Sequence, residues 1–140
     1  METRSMLRVF AAAFVLFALL ALPGGAQDDF FASRPAFSPG DLPAKSHARC
    51  EELRAMADAT PDPGFRIDLS IVGALTLVRT DGALWYLVTC SDLRVMCVTY
   101  ESNEMKVGDR VFMKGAYRRI DRNHAILDPC LASSEASLDN

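Results

Sequence analysis

A mainly β fold, a small five-stranded barrel preceded by one short helix, is what the sequence predicts. Three observations carry the prediction. Apolar and polar residues alternate from residue 65 onward, turn-forming pairs interrupt that alternation at short intervals, and only one earlier segment of the exported part spaces its apolar residues as a helix does. The chain has 140 residues, 50% hydrophobic and 24% charged, which suits one domain. Its net charge of -3 contains no long block of either sign. That excludes a disordered acidic tail and a histone-like binder.

At the amino terminus Arg4 and Arg8 flank an apolar run over residues 9–22, which falls short of the roughly 20 residues needed to cross a bilayer. Pro23, Gly24, Gly25 and Ala26 follow, a helix break and small residues suited to a signal peptidase, so residues 1–26 read as a signal peptide cut after Ala26. The expected location is the periplasm of a bacterium or the exterior, with no stable membrane anchor after cleavage. Residues 27–44 contain three prolines and a Ser-Pro-Gly turn, and read as an extended linker that carries Phe30, Phe31 and Phe37.

Residues 45–130 form the expected domain. Over residues 45–59, Cys50, Leu53 and Ala57 recur at helical spacing, with Ser46 as N-cap, until Pro61 and Pro63 forbid further helix. The first strand alternates through Phe65, Ile67, Leu69 and Ile71 and continues to Arg79, with a bend or bulge expected at Gly73. Asp81-Gly82 signals a two-residue hairpin turn. Residues 83–90 and 95–100 supply the next two strands of a meander, residues 110–119 the fourth, and residues 124–127 a short fifth that ends at Asp128-Pro129. Residues 131–140 read as a polar, frayed tail.

The segment Val107-Gly108-Asp109-Arg110-Val111-Phe112-Met113-Lys114-Gly115 resembles the Gly-Asp-x-Val-x-x-x-Gly approach to the fourth strand of oligonucleotide/oligosaccharide-binding (OB) domains, and Cys97-Val98-Thr99-Tyr100 resembles their third strand. The resemblance covers about residues 65–128 and implies a Greek-key barrel. The six residues 101–106 are too few for the helix such domains carry there, which leaves an SH3-like barrel or an open β-sandwich as alternatives. The haem chaperone of cytochrome c maturation is similar in its Val-Thr-Tyr strand, but the His-x-x-x-Tyr segment of that family has no counterpart at His124–Asp128.

Four cysteines in an exported chain point to disulfides, with three possible connectivities. The expected pairing is Cys90 with Cys97 across a turn, and Cys50 with Cys130. No spacing suits a zinc site, no Cys-x-x-Cys pair exists, and no nucleophile elbow occurs, so no cofactor, metal or catalytic residue is expected and the chain does not read as an enzyme. The one local charge bias is basic, over residues 106–122. There Arg110, Lys114 and Arg118 share one face of a strand, and with Trp85, Tyr100 and Tyr117 they make the expected ligand groove. The function expected is therefore an exported binding or accessory module of the bacterial envelope, or else a small periplasmic inhibitor or assembly factor. Its partner would be an anionic ligand or an envelope protein, and the exported compartment argues against nucleic acid.

Overall fold

The computed structural model describes residues 25–40 and 42–140. Most of the expected leader lies outside the described residues. Two units are distinguished, one ending at Ala32 and one running from Ser33 to Asn140. In the first, helix α1 (Gly25–Ala32) holds the Phe30 and Phe31 rings edge to face, 5.2 Å apart.

The second unit is a closed barrel. Its strands are β1 (Phe37–Ser38), β2 (Ala48–Arg49), β3 (Asp68–Thr80), β4 (Trp85–Thr89), β5 (Arg94–Thr99), β6 (Arg110–Arg119) and β7 (His124–Ser134); helix α2 (Cys50–Asp58) follows β2, and a 3-10 turn (Glu135–Asp139) ends the chain. The five long strands run β3-β4-β5-β7-β6, and β6 returns to pair with β3. All of these pairings are antiparallel except β5 with β7. A long first strand shared by two neighbours and a parallel third-to-fifth pairing define the OB topology, and the protein has that fold. Closure leaves the long first strand without a free edge, which is the physical gain of a barrel over an open sheet.

The barrel interior is filled by alternate residues of each strand. Leu69, Ile71, Leu75, Leu87, Val95, Cys97, Val111, Met113 and Leu127 are all fully buried. Helix α2 lies against the end of the barrel that carries the turns at residues 90–93 and 120–123. Leu53 and Ala57 face inward there, and Arg54 donates to the Asp92 carboxylate at 2.7 Å and to the Arg122 carbonyl at 3.0 Å. In this chain a helix ahead of the first strand closes that end, while residues 100–109 join β5 to β6 without a helix.

Several expectations are corrected. The segment expected to be an extended linker carries α1 and β1, and Phe37 is buried where β1 pairs with the start of β3. Helix α2 begins at Cys50 because residues 48–49 pair with β3; the Arg49 amide donates to Glu52 at 3.0 Å, so Ser46 is not the N-cap. Gly73 stays in register, and the irregularity falls between Leu75 and Leu77. What Gly73 provides is room: a Cβ there would overlap the Thr89 hydroxyl and lie 2.9 Å from the Cys50 sulfur. The turn after β3 spans residues 81–84, held by the Asp81 carboxylate, which accepts from the Ala83 and Leu84 amides at 2.9 and 2.8 Å. Strand β7 does not stop at Pro129. The register with β6 jumps from Gly115↔Cys130 to Tyr117↔Leu127, so Pro129 sits in a bulge, where its missing amide costs no ladder bond. The expected frayed tail is therefore strand as far as Ser134.

The disulfides are Cys50–Cys90 and Cys97–Cys130, with Cα separations of 5.2 and 5.4 Å. The expected Cys90–Cys97 and Cys50–Cys130 pairs are wrong for a reason of register. Cys97 stands opposite Leu87, three residues along β4 from Cys90, roughly 10 Å away at about 3.3 Å per residue. That is beyond the reach of a disulfide. Cys90 instead leaves the strand with a positive φ of 67° and meets the first turn of α2.

Candidate binding face of the barrel

Strand β4 reads Trp-Tyr-Leu-Val-Thr and β5 reads Arg-Val-Met-Cys-Val-Thr. The inward parity is apolar, as a barrel requires, but so is much of the outward parity. In register order, Leu77 of β3 stands beside Val88 of β4, Val88 beside Met96 of β5, and Met96 beside Ile126 of β7. These four side chains make one apolar row across four strands on the outside of the barrel. They line a depression of about 610 Å3 together with Thr76, Arg94, Ile120 and His124. The row is unevenly open: Leu77 is 39% exposed, Met96 and Ile126 are half-buried, and Val88 between them is buried at 8%.

Arginines stand around this row. Arg79, next outward on β3, is opposite Tyr86; Arg94 is opposite His124; Arg118 of β6 is opposite Ile126 at the end of the row. Arg79 and Arg118 are exposed and their guanidinium groups make no hydrogen bond or ion pair among the described residues, and that of Arg94 stands 3.4 Å from the His124 Nε2. Carboxylates stand there too: Asp128 is exposed on the outward side of β7, two residues from Ile126, and Asp121 and Asp81 are each held by neighbours. Asp121 meets the His124 Nδ1 at 2.8 Å and accepts from the Asn123 amide, contacts that hold its carboxyl below the usual range. Asp81 accepts from the Tyr86 hydroxyl at 2.6 Å and from the amides of its own turn, which bring its pKa down to about 2.

The six residues expected to form a groove do not converge. Arg110, Lys114 and Arg118 do share the outward face of β6, but eight residues of strand separate the first from the last, roughly 26 Å. Arg110 pairs with Glu135, and each holds the other in its charged form. Lys114 donates to the Leu42 carbonyl at 2.8 Å and, with Tyr100, lines a smaller cleft of about 370 Å3 where β5 and β7 splay apart beside Pro129. Tyr100 is 80% exposed there. Trp85 points inward at the barrel mouth, opposite Thr99, and Tyr117 packs edge-on against Phe37 at 5.2 Å, where burial pushes its hydroxyl pKa up. Only Arg118 reaches the apolar row. The signal that would have found the row was present in the sequence: two adjacent strands apolar at both parities, the pattern of strands covered on both faces.

Two further depressions, of about 1040 and 660 Å3, adjoin along β2, β6 and the 3-10 turn and share Arg49, Val72, Arg110 and Glu135. Acidic and basic groups alternate along them, with the Arg110–Glu135 pair between. Among the described residues no group of three or more His, Cys, Asp and Glu side chains is placed to hold a metal ion.

No protein-family model matches the chain, and no curated protein matches it. Among solved structures it is similar to the S. pombe Stn1–Ten1 complex, at 15% sequence identity and a TM-score of 0.37, over 54% of this chain and 63% of that one. The matched part is thus less than two thirds of that protein's length. The expectation that sets nucleic acid aside as a partner is corrected, because the OB topology leaves that class of partner open. It rested on net charge and compartment. Net charge averages over the whole surface and does not describe any one face of the barrel.

Proposed function

We propose that this chain is a non-catalytic binding or accessory module of the bacterial envelope, exported, and that it takes its partner on the outer face of β4 and β5. The observation that carries the reading is the apolar row Leu77–Val88–Met96–Ile126, exposed at Leu77 and half-buried at Met96 and Ile126, with Arg79, Arg94, Arg118 and Asp128 at its edges. Apolar surface that stays partly exposed and is rimmed by polar groups marks interaction sites. Export is supported by the engagement of all four cysteines in disulfides, bonds that persist in oxidising compartments. Among the described residues no helix is long and apolar enough to cross a membrane.

The test has two parts. Intact mass of the chain recovered from the periplasm, with and without reduction, should match cleavage near Ala26 and the loss of four thiol hydrogens; an uncleaved chain with free thiols would end the export reading. Cross-linking from a photoreactive residue placed at Met96 should then trap a partner that the same residue placed at Lys114 does not. Equal trapping from both positions would end the assignment of the face.

A further inference from the structure

We infer that the Cys50–Cys90 bridge is a site of thiol–disulfide exchange, opened at the Cys50 sulfur by an external dithiol, while Cys97–Cys130 is a fixed staple; the inference does not depend on the outer face of β4 and β5. The paired cysteines are 40 and 33 residues apart in sequence, so loop-closure entropy does not separate the two bridges. Their surroundings do. Cys97 is fully buried in the barrel interior, and Cys130 borders the cleft beside Pro129 at only 5% exposure. Cys50 is half-buried and, with Cys90, lines the depression of about 660 Å3 beside β3. Gly73, which lines the same depression, has no side chain to cover the bridge: a Cβ there would lie 2.9 Å from the Cys50 Sγ.

The exchange balances with the dithiol alone. Its first thiolate attacks the Cys50 Sγ from the depression and forms a new S–S bond, and the Cys50–Cys90 bond breaks with its electron pair on Cys90, which takes up a proton. The second thiol loses its proton and attacks the external sulfur of this mixed disulfide, releasing Cys50, which is protonated in turn. One dithiol is oxidised and one bridge is reduced. Access selects Cys50 as the attacked sulfur, because Cys90 is only 4% exposed. Charge does not select, since Arg49 and Arg110 line the depression together with Glu51 and Glu135, two of each sign. Cys90 is suited to leave: it holds a positive φ of 67°, a left-handed backbone that a residue with a Cβ adopts at a cost, and an open bridge no longer holds it there. Reduction therefore loosens the turn at 90–93 from the start of α2, while Arg54 still ties α2 to Asp92 and the barrel stays closed.

The experiment uses the full exported chain in its oxidised form, with dithiothreitol as a small dithiol, a Cys-Gly-Ala-Cys peptide as a polypeptide dithiol, and glutathione buffers for the equilibrium. New thiols are alkylated at intervals and assigned by peptide mapping. Cys50–Cys90 should open at least about tenfold faster than Cys97–Cys130, with circular dichroism and the amide protection of Leu87 and Val95 unchanged. In glutathione buffers it should be half-reduced at a ratio of squared thiol to disulfide at least about tenfold lower. Cys90→Ala, which frees Cys50, should take up glutathione from its disulfide at least about tenfold faster than Cys50→Ala, which frees Cys90. Should either variant lose its fold, glutathione trapped on the unaltered chain decides, and it should map to Cys50. Opening by both dithiols, or by dithiothreitol alone, supports exchange and separates a polypeptide source from a small one. Two bridges opening at equal rates or half-reduced at equal ratios, or Cys50–Cys90 opening only in step with unfolding, would make it a second staple and overturn the inference. Glutathione mapping to Cys90 would overturn Cys50 as the attacked sulfur.

Discussion

Replacing Gly115 with alanine probes the contact that lets β6 and β7 share a bulge. A Cβ at Gly115 would overlap the Pro129 carbonyl oxygen and lie 2.9 Å from the Cys130 Cα and 3.0 Å from the Leu127 Cβ, against ordinary carbon contacts of about 3.5–4.0 Å. Two of those three obstacles are backbone, and the Cys97–Cys130 bridge holds one of them in place. No rotamer change relieves the clash. Overpacking of this kind costs roughly 1–3 kcal/mol, and the upper part of that range applies where backbone must move. The smaller conformational freedom of alanine in the unfolded chain returns about 0.4–1 kcal/mol. The net loss is therefore about 1–2 kcal/mol. For a domain near 100 residues this lowers Tm by roughly 4–16 °C at about 4–8 °C per kcal/mol. Thermal and urea unfolding of the oxidised protein measure it, with the midpoint moving and the urea slope unchanged. Ala116→Ser, on the outward side of the same strand, is the control and should change stability by no more than about 0.5 kcal/mol. A Gly115→Ala variant as stable as the control would refute the claim that β7 presses on β6 at this point.

Non-reducing peptide mapping should recover Cys50–Cys90 and Cys97–Cys130, and removing the second bridge as Cys97→Ala with Cys130→Ala should cost up to about 4 kcal/mol in the loop-entropy model. The turn at residues 81–84 should loosen in acid: the Asp81 pKa is lowered from 3.8 to about 2, so its contribution is complete above about 4 and is lost as pH falls through about 2. Amide exchange of Ala83 and Leu84 against pH checks this, and Asp81→Asn should abolish the dependence. Arg54→Ala should speed amide exchange in the turns at 90–93 and 120–123 while leaving the centre of β4 unchanged, because its guanidinium bonds to Asp92, Arg122 and Asn123; exchange unchanged in both turns would contradict its bridging role. Lys114→Gln should leave partner capture on the β4–β5 face intact, whereas Arg118→Gln should weaken it, a contrast that a common basic groove along β6 would not produce.

The local pattern of the chain determined a good deal. Alternation in residues 110–119 set β6 at its true bounds, the helical spacing of Cys50, Leu53 and Ala57 placed the buried face of α2, and the order of strands and turns pointed to an OB barrel ahead of an SH3-like barrel or an open sandwich. Each of these depends on residues a few positions apart, whose relation is visible along the sequence. What only the tertiary structure decided depends on register between distant strands. The disulfide partners follow from Cys97 standing opposite Leu87, and the length of β7 follows from a bulge that absorbs Pro129 where a local reading places a stop. The candidate face belongs to the same class. Leu77, Val88, Met96 and Ile126 are scattered over fifty positions of sequence and become one row only when four strands pair in one particular register, while Arg110, Lys114 and Arg118, regular along β6, are separated by the length of the strand itself. Neighbours along a strand lie farther apart on one face than neighbours across it, so a surface site on a barrel is written in the pairing and not in the run of any single segment.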